Sequence, residues 1–174
     1  MKIMIATDGS KFSESAVEKC CDFTKLSDQT RIKIVSVFEP QVPMGAEPFA
    51  ISAEYYQRLD ELAEQKARAN VNQAVEIMKS RFPAAMPHIQ TSVFLGRPAQ
   101  RIVEDAAEWK PDLIVVGSHG RGFWGRLALG SVSDAVVHHA PCSVLIVRSR
   151  AGRPPVSEQD NRNTSDEEDA SELD

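Results

Sequence analysis

The sequence is poor in cysteine and aromatic residues, and it has no long apolar run. It contains 174 residues, of which three are cysteines. Cys20 and Cys21 are adjacent and Cys142 lies far away, so the spacing favours neither a disulfide framework nor a zinc site. No apolar stretch approaches the roughly 18 residues that cross a bilayer. The apolar start of the chain is too short for a signal peptide. We therefore expect a cytoplasmic protein without a membrane segment.

The chain also lacks an excess of basic charge. Its formal net charge is −5, and residues 151–174 hold two arginines against eight acidic residues. The preceding 150 residues carry 18 basic and 17 acidic side chains, so a nucleic acid partner is not indicated. We expect one folded domain over residues 1–150. Residues 151–174 have too few apolar side chains to fold and predict an acidic disordered tail, or alternatively an interaction tail.

Strand and helix patterns alternate along the first 150 residues. Short apolar or β-branched runs predict strands at 2–7, 31–38, 88–95, 111–116 and 142–147. Apolar residues three and four positions apart predict the helices between them, and the stripe from Tyr55 to Phe82 is expected to be core. This alternation predicts a three-layer α/β sandwich with a five-stranded parallel open sheet, Rossmann-like or adenine nucleotide α-hydrolase-like. Ligands of such sheets bind beyond the carboxyl ends of the strands.

A glycine-rich segment, GSHGRGFWGRLALGS, runs from Gly117 to Ser131 between the fourth strand and the last helix. Glycine allows a backbone to approach a ligand closely. The helix beginning near Ser131 offers unpaired N–H groups and the positive end of its dipole. Together these features predict a phosphate site. Asp8 follows the first strand at the same edge of the sheet, where it either joins this site or caps the first helix.

Two standard nucleotide motifs do not account for this segment. The GxxxxGK[ST] motif has no match. The GxGxxG motif matches from Gly120 to Gly125, but it follows the fourth strand rather than the first, and the next strand ends without an acidic residue. A third spacing fits at every position: Gly117-x2-Gly120-x9-Gly130-Ser131.

This third spacing resembles the universal stress protein family, whose ATP-binding members carry G-x2-G-x9-G-[ST] at this place. The resemblance covers roughly residues 1–148, and three more segments share it: MIATDGS from Met4, GRP from Gly96 and PCSVLIV from Pro141. It implies an ATP-binding regulatory or stress-response protein, with Mg²⁺ or Mn²⁺ bound through the phosphates. It also implies a homodimer built partly on the last strand, Ser143–Val147.

The resemblance further implies a role for individual residues. Asp8, with Thr7 beside it, would lie near the ribose, the adenine or a phosphate-bound metal, and Val37 would contact adenine through its backbone. The ribose and phosphates would be held by Gly117, Gly120, Gly130, Ser131, Val132 and Ser133. No catalytic residue is assigned, because Asp8 is the one clear carboxylate at a strand end. Two alternatives stay open: a slow ATPase or autophosphorylating enzyme that uses Ser131 or Ser133, and a nucleotide-free interaction module.

Overall fold

The computed structural model describes residues 1–23, 27, 29–40, 52–81, 87–119 and 129–148. Strands and helices alternate through these ranges, as the sequence patterns predict. The elements are β1 Lys2–Ala6, α1 Lys11–Phe23, β2 Arg31–Phe38, α2 Ala53–Arg81, β3 His88–Leu95, α3 Pro98–Trp109, β4 Leu113–Gly117, α4 Ser131–His139 and β5 Ser143–Val147. The predicted tail at 151–174 lies outside the described residues. Among the described helices, none is both long and apolar enough to cross a membrane.

The five strands form one parallel sheet in the order β3-β2-β1-β4-β5. The chain winds outward from β1 through β2 to β3, and then crosses back to place β4 and β5 on the other side of β1. The direction of winding therefore reverses between β1 and β4. At such a reversal the connections leave in opposite directions and open a crevice at the carboxyl ends of the strands.

Apolar side chains fill both faces of the sheet, which confirms the predicted three-layer α/β sandwich. Successive residues of a strand point to opposite faces, and in β1 the side chains of Ile3 and Ile5 enter one core while Met4 enters the other. The first core lies under α1 and α2, and the second lies under α3 and α4. Both cores contain side chains without solvent exposure, among them Ile34 and Met78 in the first and Ile114 and Val136 in the second.

Helix α2 is longer than the sheet that it packs on. Its 29 residues span about 43 Å, whereas the eight residues of β2 span about 26 Å. Its buried residues all lie in the C-terminal half: Ala67, Val71, Ala74 and Met78. Tyr55 and Leu62 are 50% and 51% exposed. The prediction that the whole stripe from Tyr55 is core is therefore wrong in the N-terminal half of the helix, which extends past the carboxyl edge of the sheet. Phe82 lies outside the described residues.

One buried ion pair in the second core was not predicted. The ammonium group of Lys33 on β2 pairs with the Asp105 carboxylate on α3, and both side chains are 9% exposed. The Lys33 Nζ atom also lies 5.7 Å from the Phe94 ring centroid and 5.9 Å from that of Trp109. On α3 the polar Asp105 is buried, whereas the apolar Ala107 is exposed. The pair joins α3 to the centre of β2.

Candidate functional site

A cavity of about 900 Å³ opens at the carboxyl edge of the sheet, where the winding reverses. Its volume lies within the range of small-molecule sites, roughly 300–1,000 Å³. The ends of β1, β2 and β4 form its floor, and the starts of α3 and α4 and the N-terminal half of α2 form its walls. Eight of the predicted site residues line it: Thr7, Asp8, Val37, Gly117, Gly130, Ser131, Val132 and Ser133. The ninth, Gly120, lies outside the described residues.

The turn after β1 is held by its own side chains. The Ser10 backbone N–H donates to Asp8 Oδ1 at 3.0 Å, and Gly9 adopts a φ of +71° that favours glycine. Helix α1 is capped by Ser10, whose Oγ accepts the Ser13 N–H at 3.3 Å. Asp8 therefore does not cap the helix itself. Its carboxylate shapes the turn and lines the cavity.

Val37 lies near the end of β2, beyond the point where the pairing of β2 with β1 ends. The last hydrogen bond between the two strands runs from the Thr7 N–H to the Val35 carbonyl, at 2.9 Å. Backbone polar groups of successive residues in a strand point to opposite neighbouring strands. The Phe38 carbonyl accepts the Gly96 N–H on the β3 side, at 2.9 Å, so those of Val37 point to the β1 side. No described residue bonds to them there. Val37 therefore presents one donor and one acceptor to the cavity.

Gly117, the last residue of β4, has a structural reason to be glycine. A Cβ atom at this position would lie 2.9 Å from the carbonyl carbon and oxygen of Phe12 and 3.1 Å from the backbone nitrogen of Ser13. The missing side chain thus allows the first turn of α1 to lie directly against β4. Gly117 also lines the cavity, so close packing and close approach to a ligand both favour glycine here.

Helix α4 begins at Ser131 with Gly130 at its N-cap and no side-chain cap. The Gly130 N–H donates to the Ser118 carbonyl at 2.8 Å. The buried Ser133 hydroxyl bonds to the Gly130 and Ser118 carbonyls at 2.8 and 3.1 Å, and this ties the helix start to the end of β4. Within the described ranges, the N–H groups of residues 131–133 bond to no backbone carbonyl. They are available to an anion in the cavity.

His119 lies at the floor of the cavity next to β4. Its ring centroid is 5.6 Å from that of Phe12, and its Nδ1 is 3.1 Å from the Ser118 hydroxyl. The imidazole is half-buried rather than solvated.

Among the described residues that line the cavity, Asp8 and Glu39 are acidic and Lys66 and Arg97 are basic. No cluster of three metal-ligating side chains occurs in the described part of the chain.

The walls contain residues that no sequence motif indicated. Helix α2 contributes Leu59, Leu62, Ala63, Lys66 and Asn70 to the cavity. In the sequence these residues belong to an ordinary amphipathic pattern, more than 20 positions away from any recognised motif. The length of the pattern is the signal that indicates them, because a helix this long must extend past a short sheet.

The fold defines an α/β domain with a cavity at the reversal point of a parallel sheet. The model of the universal stress protein family matches residues 1–148, and the chain belongs to this family. It is 34% identical over 148 residues to the universal stress protein in the QAH/OAS sulfhydrylase 3' region of Thermus aquaticus, covering 84% of this chain and 97% of that relative.

Two solved structures of the family resemble this one. A universal stress protein in complex with cAMP is 28% identical with a TM-score of 0.58, covering 84% of this chain and 96% of that chain. A universal stress protein family protein of Arabidopsis thaliana with AMP bound is 21% identical with a TM-score of 0.61, covering 87% and 93%. The second likeness concerns the fold alone.

Proposed function

We propose that this universal stress protein binds ATP in the cavity and acts as a regulatory stress-response protein. The observation that carries the proposal is the convergence of eight predicted site residues, from three strand ends and one helix start, on one cavity. The family members solved with AMP and with cAMP support an adenine nucleotide as the ligand class. The proposal then assigns the base to one end of the cavity and the phosphates to the other.

The base fits the backbone of Val37. The Watson–Crick edge of adenine carries a donor at N6 and an acceptor at N1, which complement the carbonyl and N–H that Val37 presents. Guanine carries an acceptor and a donor in the reverse order. The apolar side chains of Val35, Val37 and Ile102 beside this edge provide a surface for the faces of the ring. The site should therefore prefer adenine to guanine.

The phosphates fit the start of α4. The N–H groups of Ser131, Val132 and Ser133 and the positive end of the helix dipole attract an anion, and Gly130 places no side chain in front of them. Gly117 lines the cavity at the end of β4, and we assign Gly120 to the same phosphate-binding loop. Mg²⁺ or Mn²⁺ would be held chiefly by the phosphates, beside the Asp8 carboxylate on the cavity floor, and would neutralise part of their charge.

A slow ATPase or autophosphorylating activity is the second candidate. An efficient phosphoryl transferase needs positioned metal ligands and a residue that orients the nucleophile. Of the two serines at the helix start, Ser131 is exposed at the cavity, whereas the buried Ser133 hydroxyl is bonded to two carbonyls. If the protein phosphorylates itself here, Ser131 is therefore the expected acceptor.

We further propose a cytoplasmic homodimer that pairs through β5. This strand lies at the edge of the sheet, and Val144, Leu145 and Ile146 are half-buried. An apolar edge strand invites pairing with another chain. A sedimentation velocity experiment on the protein tests this, and we expect a dimer. A monomeric protein would contradict it.

The nucleotide proposal is tested by occupancy and affinity. We expect purified protein to carry adenine nucleotide, detectable by chromatography after denaturation, and the emptied protein to bind ATP at micromolar concentration in calorimetry and GTP at least tenfold more weakly. Gly130→Val should weaken ATP binding more than tenfold, because its side chain covers the helix start. Ala107→Val, at an exposed position of α3, is the control. A folded protein without bound nucleotide and without micromolar affinity would refute the proposal.

A further inference from the structure

Lys66 differs from the other basic side chains of α2. Arg58, Arg68 and Lys79 pair with carboxylates on the same helix, and Arg81 pairs with Asp22 of α1. Lys66 makes no ion pair with any described residue, and it is the basic residue of α2 that lines the cavity. A helix that neutralises its other cations thus leaves this one facing the ligand site.

The position of Lys66 follows from the packing one turn further along α2. A side chain on Gly9 would collide with the amide group of Asn70, so α2 crosses directly over the turn that contains Asp8. Residues four apart lie on the same face of a helix. Lys66 therefore lies on the face of α2 that covers this turn, one helical turn closer to the N-terminal end of α2. The turn follows β1, which stands between β2 and β4 in the sheet.

We propose that Lys66 binds the phosphates of the nucleotide from the α2 side and makes the site prefer ATP to AMP and adenosine. The inference rests on the proposed function. Helix α4 starts on the opposite face of the sheet, so a triphosphate would be held from both faces. The base and ribose carry no charge at neutral pH, whereas each added phosphate adds negative charge, so an ammonium group favours the longer chain.

Arg97 is the other cation of the cavity wall, but its location fits the base end. It follows β3, the edge strand at the far end of the sheet from β4 and β5. Its neighbour Gly96 is bonded to the carboxyl end of β2 through the Phe38 carbonyl. Discrimination between phosphate chain lengths is therefore assigned to Lys66 rather than to Arg97.

The test compares ATP, AMP and adenosine by calorimetry on the full chain and on three variants. Lys66→Met should lose about tenfold in ATP affinity, with less than a twofold change for adenosine, and Lys66→Arg should retain most of the preference. Arg68→Met removes a charge from the same helix at a position paired with Glu64, and should leave all three affinities unchanged. The effect of Lys66→Met should shrink as salt is raised to 1 M.

Failure of this inference and failure of the proposed function give different results. If the unmodified chain binds none of the three nucleotides, the proposed function is overturned and this inference falls with it. If the chain binds ATP but Lys66→Met binds it equally well, or loses ATP and adenosine affinity by the same factor, Lys66 is not a phosphate ligand. Circular dichroism of each variant separates a loss of binding from a loss of fold.

Discussion

The contact between Gly117 and α1 makes Gly117→Ala a sharp test of how the domain is packed. The added Cβ would lie 2.9 Å from two backbone atoms of Phe12 and 3.1 Å from a third backbone atom, in Ser13. These neighbours are backbone rather than flexible side chain, so the first turn of α1 must move as a unit. The Ser13 hydroxyl accepts a hydrogen bond from Thr7 Oγ1 at 3.1 Å, so the movement also reaches the floor of the cavity.

Two opposing effects set the size of the change. Forcing extra volume into a packed interior costs about 1–3 kcal/mol. Gly117 has no positive φ, so alanine suits its backbone and recovers about 0.4–1 kcal/mol by restricting the unfolded chain. We expect a net loss of about 1–2 kcal/mol, which corresponds to a fall in Tm of about 2–8 °C for a domain of this size.

The measurement is urea unfolding followed by circular dichroism, with ATP affinity determined in parallel. Asn72→Gln is the matched control, because it also adds one carbon but does so at an exposed position of α2; its stability should stay within about 0.5 kcal/mol of the parent. ATP affinity should fall for Gly117→Ala and not for the control. A Gly117→Ala protein as stable as the parent would show that α1 does not press on β4 as described.

Three further outcomes follow from buried groups. Lys33→Met alone should destabilise the domain by about 3–5 kcal/mol because it leaves the Asp105 carboxylate buried without its partner, and Lys33→Met/Asp105→Leu should recover most of this in urea unfolding; equal losses in the two would contradict the pairing. Burial, and next the adjacent Cys20, raise the pKa of Cys21 to about 11, so Cys21 should react with a thiol reagent at pH 8 far more slowly than a free thiol does. The raised pKa stabilises the native state below about pH 9, and this contribution should disappear as the pH rises through about 11; a fast-reacting Cys21 would contradict its burial. Met78→Ala should lower the free energy of unfolding by about 2–5 kcal/mol, because it leaves a void in the first core. A loss below about 1 kcal/mol would show that the surrounding side chains close this void.

The layers of this fold could be predicted because local patterns encode them. Continuous apolar runs such as β4 indicate strands that are covered on both faces, and the wider apolar spacing between them indicates helices. Most of the candidate site also followed, since parallel strands bring their carboxyl ends to one edge. This is why Asp8 and Gly117, which are distant in sequence, line the same cavity.

The remainder depends on relations between elements, which a single sequence does not display. Nothing in the pattern of β2 shows that Lys33 meets Asp105 across the second core, because the pairing depends on how α3 rotates on the sheet. The second reason for glycine at position 117 depends on where α1 crosses β4. The contribution of Lys66 depends on the lengths of α2 and the sheet together.

Because α2 is longer than the sheet, the residues that stabilise the fold and the residues that line the cavity lie in different halves of this helix. From Ala67 onward the helix is anchored in the interior, and substitutions there act on the free energy of unfolding. Before Ala67, side chains such as Leu62 line the cavity and are exposed to solvent, and none is buried in the core. Residues on this projecting segment can therefore be exchanged while the framework below retains its stability, so under the proposed function it is the place to engineer a different nucleotide specificity.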